Sequence, residues 1–214
     1  MTKVNIKGLL LLVLFIIGTG FGAALIMQVA IGVSAWDALT QSSAEVIGIQ
    51  IGTMGIALNT TCLILQLLIL RKQTHWSIIF QFPMSLLLGV AVNFSYYTFL
   101  SNFHLDNYFL QIVFFLIGNA FLAGSIAGIL VLNIMTFPVE GLCLVISQRT
   151  RFSFVQVRQA IDFFCVAMAL LIFVIFRGTM TVREGTIIGM LIFSPMIGLF
   201  MKLWSPLLKR EMPA

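Results

Sequence analysis

The sequence contains too few charged residues to cover the surface of a water-soluble globule. Lys and Arg together number 12 and Asp and Glu number 7, so only 9% of the residues are charged. Soluble domains carry roughly 25% charged residues because their surfaces face water. The shortage argues against a soluble protein and indicates that lipid surrounds most of the surface.

Residues and motifs that support catalysis or metal binding are also scarce. The two histidines, His75 and His104, fall in predicted loops on opposite sides of a membrane, so they cannot share a site. Cys62, Cys143 and Cys165 lie in apolar stretches without metal-ligand spacing, and we expect buried free thiols. The H-E-x-x-H, G-x-S-x-G and P-loop motifs are absent. We therefore expect neither an enzyme nor a cofactor.

Long apolar runs dominate the chain, with 60% hydrophobic residues and a mean hydropathy of +1.10. A membrane span needs about 20 mostly apolar residues. The first run, after Lys7, is longer than the roughly 7–15 apolar residues of a signal peptide, so we predict a retained span. Pro83 and Pro195 lie inside predicted spans, where proline produces either a static kink or a hinge. The six predicted spans are residues 8–33, 51–70, 77–100, 109–134, 153–176 and 185–204.

The basic residues set the expected orientation, because Lys and Arg accumulate on the cytoplasmic side. With both termini inside, only Arg177 and Arg183 lie outside, and Arg158 lies within a span. The scattered basic residues form no stripe of the kind that binds nucleic acid. We predict a multi-pass cell-membrane protein with cytoplasmic termini. The nine basic residues on the inside are Lys3, Lys7, Arg71, Lys72, Arg149, Arg151, Lys202, Lys209 and Arg210.

Two amphipathic connections, residues 34–50 and 137–150, each begin with a helix-start signal and carry an acid in the first turn. Ser34 can cap the first, and Pro138 suits the first turn of the second. Each segment is either an interfacial helix or a re-entrant helix that lines a cavity. The sequence leaves both alternatives open.

An internal repeat relates the two halves of the chain. A shift of 103 residues places Asp37 on Glu140 and Asn59 on Asp162. Each half would hold three spans, and because three is odd the second half enters the membrane from the opposite side. Many secondary transporters use such inverted repeats. We predict an all-α membrane protein with about six transmembrane helices in two inverted three-helix repeats, about 8–105 and 106–205, within a single transmembrane domain, 1–214.

Five polar residues are the candidate site. Asp162 lies inside the fifth predicted span, where an ionised carboxylate costs roughly 2.5–3.5 kcal/mol. Arg158, one turn earlier, can pair with it, either as a purely structural ion pair or as part of a cavity where Asp162 anchors a substrate or accepts a proton. Asn59 is expected on the opposing wall. Asp37 and Glu140 complete the set, and the predicted site is for substrate binding or coupling, without catalytic or metal-ligating residues.

Small residues four apart predict which spans pack closely. Gly18 and Gly22 lie on the first predicted span, and Gly124 and Gly128 on the fourth. Because this spacing lets two helix backbones approach, we expect the first and fourth spans to pack together. Dimerisation through the same faces is the alternative.

The order of several short motifs resembles that of the bacterial YczE/YyaS/YitT membrane proteins, over residues 15–205. The first half carries Gly32-Val33-Ser34-Ala35-Trp36-Asp37-Ala38-Leu39 and then Ile51-Gly52-Thr53, similar to G-x-[ST]-P-W-D-x-L and I-G-T, with Ala35 at the usual proline. The second half carries Pro138-Val139-Glu140-Gly141-Leu142, Arg149-Thr150, Val157-Arg158, Ile161-Asp162, Gly185-Thr186 and Pro195. The resemblance implies a bacterial inner-membrane location, and some relatives are classed as exporters of small molecules.

Two functions are therefore expected from the sequence. The first is a small secondary transporter, an exporter of a small molecule, with the bilayer and its substrate as partners. The second is a non-transporting accessory protein that scaffolds or stabilises a membrane-associated enzyme complex. The substrate, its direction, the coupling ion and the oligomeric state are not encoded in any recognisable pattern.

Overall fold

The structure is a computed structural model that describes residues 6–71 and 76–211. Lys3, Lys72 and His75 therefore lie outside the described residues. The described chain is almost entirely helical, as predicted. Its helices are α1 (Ile6–Val29), α2 (Ala35–Ile47), α3 (Ile51–Leu70), α4 (Trp76–Ile79), α5 (Gln81–Phe94), α6 (Tyr108–Leu132), α7 (Pro138–Arg149), α8 (Phe154–Phe176) and α9 (Glu184–Glu211).

Five of the described helices are long and apolar enough to cross a membrane: α1, α3, α6, α8 and α9. The third predicted span, 77–100, is not one helix but α4, a break at Phe80, and α5 followed by a π-helical turn, Ser95–Phe99. The position of Pro83 explains the break, because the proline ring clashes with the carbonyl four residues earlier, at Ile79. Pro83 thus lies in the first turn of α5 and does not kink a continuous span, whereas Pro195 lies inside α9.

Helices α1 and α6 form the centre of the bundle, and their glycines bring the two backbones together. A Cβ atom on Gly22 would lie 2.7 Å from the backbone nitrogen of Leu122, and one on Gly18 would lie 2.5 Å from the Ser125 hydroxyl. This confirms the predicted packing of the first and fourth spans. Gly124 is the exception, because it faces Phe200 of α9 rather than α1.

The short helices α2 and α7 lie against the long ones rather than apart from the bundle. Helix α2 packs on α3 and α8, and α7 also packs on α3 and α8. As predicted, the Ser34 hydroxyl caps α2 by accepting the backbone N–H of Asp37, and Pro138 occupies the first turn of α7. Both helices bury apolar side chains, with Ala38 and Cys143 fully buried.

The connection between α8 and α9 fastens the start of α9 to the α1–α2 region. The Glu45 carboxylate of α2 accepts the backbone N–H of Thr179, and the Ser42 and Thr181 hydroxyls are 2.8 Å apart. Gly32 has a φ of 137°, and a Cβ atom there would lie 2.4 Å from the backbone nitrogen of Thr186. Glycine is therefore required where the chain leaves α1.

Helices α3 and α5 of the first half pack differently from helices α8 and α9 of the second half. Helix α3 packs tightly on α5, where a Cβ atom on Gly52 would lie only 2.0 Å from the carbonyl oxygen of Gly89. Across the described residues, α8 and α9 make at most a marginal contact with each other. Helix α8 instead contacts α2 and α7, and α9 contacts α6.

Candidate functional site

A cavity of about 410 Å³ lies at the centre of the helices, and all five predicted site residues line it. Asp37 and Glu140 come from the first turns of α2 and α7. Asn59 comes from α3, and Arg158 and Asp162 come from α8. Residues more than a hundred positions apart in the sequence therefore meet around one space.

Arg158 holds two of the three cavity carboxylates. Its Nη1 lies 3.0 Å from Glu140 Oε1, and its Nε lies 3.4 Å from Asp162 Oδ2. The predicted pairing of Arg158 with Asp162 is confirmed. The shorter contact, to Glu140, was not predicted. The three side chains are only 20–26% exposed, so the ion pairs are partly shielded from solvent.

Asp37 has a different environment from the other two acids. Its Oδ2 accepts a hydrogen bond of 2.7 Å from the Ser34 hydroxyl, which in turn accepts the Asp37 backbone N–H at 3.1 Å. Among the described residues, no Lys, Arg or His nitrogen lies within 4.0 Å of the Asp37 carboxylate. The first turn of α2 thus presents a carboxylate to the cavity without a cationic partner.

Asn59 is the most buried polar group of the five. The residue is only 4% exposed, yet it lines the cavity, and no hydrogen bond joins its side-chain amide to another described residue. No fully buried side-chain nitrogen or oxygen lacks a partner among the described residues, so the amide atoms of Asn59 must be accessible from the cavity. Asn59 is therefore oriented for a ligand or for water inside the cavity.

Several cavity-lining residues were not assigned to the site from the sequence. Aromatic rings line it at Trp36, Phe137, Phe154 and Phe193. Trp36 stood in the W-D motif quoted above, but the motif gives no direction for its side chain. Other polar groups reach the cavity at Thr19, Ser34, Thr40 and Gln159. These residues lacked any signal, because a lone polar or aromatic residue in an apolar helix is equally consistent with packing.

Other polar side chains within the helices have packing roles away from the cavity. Gln66 donates from Nε2 to Gln81 Oε1 at 3.0 Å and to the carbonyl of Pro138 at 2.9 Å, which joins α3, α5 and α7. Asn93 accepts the backbone N–H of Gly52 at 2.7 Å. Such interhelical bonds are expected in membrane bundles.

The donor groups of the cavity do not form a metal centre. Within the described ranges, no three His, Cys, Asp or Glu residues are arranged to hold a metal ion. The three cysteines are buried and free, as expected.

The chain matches the model of a family of unknown function, DUF6198, over residues 6–202. It belongs to this family. No curated protein and no solved structure matches the chain. The DUF6198 match extends from α1 into α9, so the family includes every helix that lines the cavity. Since the family has no assigned activity, the chemistry must be argued from the cavity itself.

Proposed function

We propose that this protein is a small secondary transporter, an exporter of a small molecule across the bacterial inner membrane. One observation carries the proposal: polar residues from both halves of the chain line a single internal cavity of about 410 Å³. Ligand sites usually measure about 300–1,000 Å³. Ionisable residues at membrane depth commonly mark substrate or proton pathways.

The arrangement of the two halves supports an inverted repeat. Asp37 and Glu140 occupy the same position counted from the first residues of α2 and α7, and Asn59 and Asp162 do so in α3 and α8. Each short helix also packs on both α3 and α8. In transporters built from inverted repeats, substrate sites lie where the repeats meet, near the membrane midplane.

The proposed topology has six spans, with α5 and its π-helical continuation as the third. Residues 81–99 rise about 28 Å at roughly 1.5 Å per residue, close to the hydrocarbon thickness of about 30 Å. Helices α2 and α7 are then re-entrant, with their first turns at the cavity. Nine basic residues lie in the segments assigned to the inside and two in those assigned to the outside, which supports cytoplasmic termini.

The alternative is a non-transporting accessory protein that stabilises a membrane-associated enzyme complex. Such a protein recognises its partner through an outward-facing surface. Here Glu140 of α7 and both charged residues of α8, Arg158 and Asp162, line the cavity, and the exposed side chains of α8 are largely apolar. These placements favour transport over scaffolding.

Cysteine accessibility tests the transport proposal without knowledge of the substrate. A transporter must expose its site to each side of the membrane in turn. Gly55 and Gly189 line the cavity, and a Cβ atom on either meets nothing closer than 3.6 Å, so Gly55→Cys and Gly189→Cys should fold. Both should react with a membrane-impermeant thiol reagent in right-side-out vesicles and also in inverted vesicles. The native cysteines are buried and give a low background.

A matched control is available on α9. Gly198→Cys has open space around its Cβ position, lies outside the cavity lining and should face lipid, where a polar reagent does not reach it. Labelling of both cavity positions from one side only, or from neither side, would overturn the transport proposal.

A further inference from the structure

The cavity is lined by more negative than positive groups. Three carboxylates, Asp37, Glu140 and Asp162, face one guanidinium, Arg158. Arg158 lies within ion-pair distance of Glu140 and Asp162 and can balance one of their charges, whereas Asp37 accepts a hydrogen bond from the Ser34 hydroxyl and has no described cation within 4.0 Å. Building on the proposed transport function, we propose that the substrate is a small organic cation with an apolar or aromatic body.

The sign of the substrate's charge is inferred from the positions of the charged side chains in the cavity. A cleft with low-dielectric walls and one excess sign of charge attracts counter-ions and repels like charges. An anionic substrate would meet three carboxylates and would have to displace one of them from Arg158. A cationic substrate finds the Asp37 carboxylate already in place, with no described cation within 4.0 Å of it.

The helix ends at the cavity do not reverse this preference. Helices α2 and α7 both begin at the cavity, and a helix N-terminus carries a partial positive charge of roughly half a unit. The protein itself supplies an anion at each end, since Asp37 and Glu140 occupy the first turns. The Ser34 hydroxyl also satisfies one N–H of α2. The two first-turn carboxylates therefore offset the partial positive charges of the helix ends.

An organic body is favoured because the cavity walls are largely apolar and aromatic. Trp36 and Phe137 lie beside the acids of α2 and α7, and Phe154 and Phe193 lie on α8 and α9. Aromatic faces attract cations, and aromatic cages recognise quaternary ammonium groups. A bare divalent metal ion instead needs several converging oxygens, and the described residues hold no such group.

Asn59 adds an uncharged polar group to the cavity wall. Its residue is 4% exposed and its amide has no partner in the described part of the chain. The amide can accept or donate one hydrogen bond to a polar substituent of the ligand. The cavity thus combines one unpaired carboxylate, one unpaired amide and aromatic walls.

Binding to the purified full chain in detergent tests the charge preference directly. Two probes share a benzyl group and a tetrahedral head but differ in sign: benzyltrimethylammonium and phenylmethanesulfonate. Isothermal titration calorimetry should show saturable binding of the cation and none of the anion. Asp37→Asn should weaken binding of the cation at least about tenfold. Asp106→Asn, the same change at an exposed acid outside the cavity, should bind like the wild type.

The outcomes distinguish a failure of the proposed substrate class from a failure of the proposed transport function. Absence of saturable cation binding, equal binding of the anion, or unchanged affinity in Asp37→Asn would overturn the inference. If Asp37→Asn elutes as an aggregate in size-exclusion chromatography, Asp37→Ser replaces it with the same expected loss of affinity, and the comparison of cation and anion binding by the wild type still tests the inference. Two-sided labelling of Gly55→Cys without cation binding would refute the substrate class alone. Cation binding with one-sided labelling would refute transport alone.

Discussion

Removal of Arg158 should destabilise the protein, and removal of all three charges should restore stability. Arg158 lies 3.0 Å from one carboxylate and 3.4 Å from another, on two different helices. Arg158→Gln leaves Glu140 and Asp162 facing each other's charge with no cation nearby. The variant therefore isolates the electrostatic role of the guanidinium at this junction of α7 and α8.

The expected cost can be bounded from buried ion pairs in general. Removing one partner of a buried ion pair typically costs about 3–5 kcal/mol. The side chains are 20–26% exposed, so water in the cavity lowers this figure. We expect Arg158→Gln to lower the free energy of unfolding by about 2–4 kcal/mol.

The protein contains its own reporters for this measurement. Cys62, Cys143 and Cys165 are at most 8% exposed, so they react with a thiol-specific dye only after the helices separate. Unfolding in mixed micelles with increasing sodium dodecyl sulfate, followed by dye reaction, gives the free energy of unfolding for each variant.

The compensated variant decides the interpretation. Arg158→Gln/Glu140→Gln/Asp162→Asn keeps the shapes of the two acids, shortens only the Arg158 side chain and leaves no uncompensated buried charge. It should recover most of the lost stability. Wild-type stability of Arg158→Gln, or a triple variant no more stable than the single one, would refute the claim that the guanidinium compensates these carboxylates.

Two further predictions concern glycines and use matched controls on the same helix. Gly189→Leu places a side chain into the cavity and should reduce labelling of Gly55→Cys from both sides, measured by mass shift, whereas Gly198→Leu, in open space, should leave it unchanged. Gly52→Ala should lower the free energy of unfolding by about 1–3 kcal/mol, because its Cβ would lie 2.0 Å from the Gly89 carbonyl oxygen. Gly55→Ala, with its nearest contact at 3.7 Å, should be neutral or stabilising in the same assay, and equal effects of the two would contradict the described α3–α5 contact.

The sequence was most informative where an unsatisfied residue would carry a high free-energy cost, so that few arrangements remain possible. A carboxylate in an apolar helix needs a partner, and that requirement alone predicted the contact of Asp162 with Arg158. Glycines four apart likewise predicted the packing of α1 on α6, which Gly22 and Gly18 mediate. An unpaired charge in an apolar helix is costly, and small residues four apart are typical of closely packed helices.

Contacts that depend on how helices are placed relative to each other could not be predicted. Glu140 binds Arg158 at 3.0 Å, but the two residues are separated by a turn between helices whose direction the sequence does not state. The break within the third predicted span was not predicted, because hydropathy registers the apolar composition of residues 77–100 and not the clash of Pro83 with Ile79. The aromatic residues of the cavity resembled ordinary core residues.

The difference in packing between the α3–α5 pair and the α8–α9 pair can be related to the sequence once the structure is known. Gly52 and Gly89 allow α3 and α5 to touch through their backbones. The offset of 112 residues that aligns Pro83 with Pro195 places Met201 of α9 at the position of Gly89. Because backbone contact at such a crossing requires small residues, α8 and α9 cannot reproduce the α3–α5 contact. Two pairs of cavity residues, Asp37 with Glu140 and Asn59 with Asp162, fall at the same offset, whereas the glycines that close the α3–α5 pair have no counterparts. The cavity therefore borders a tightly packed helix pair on one side and a separated pair on the other.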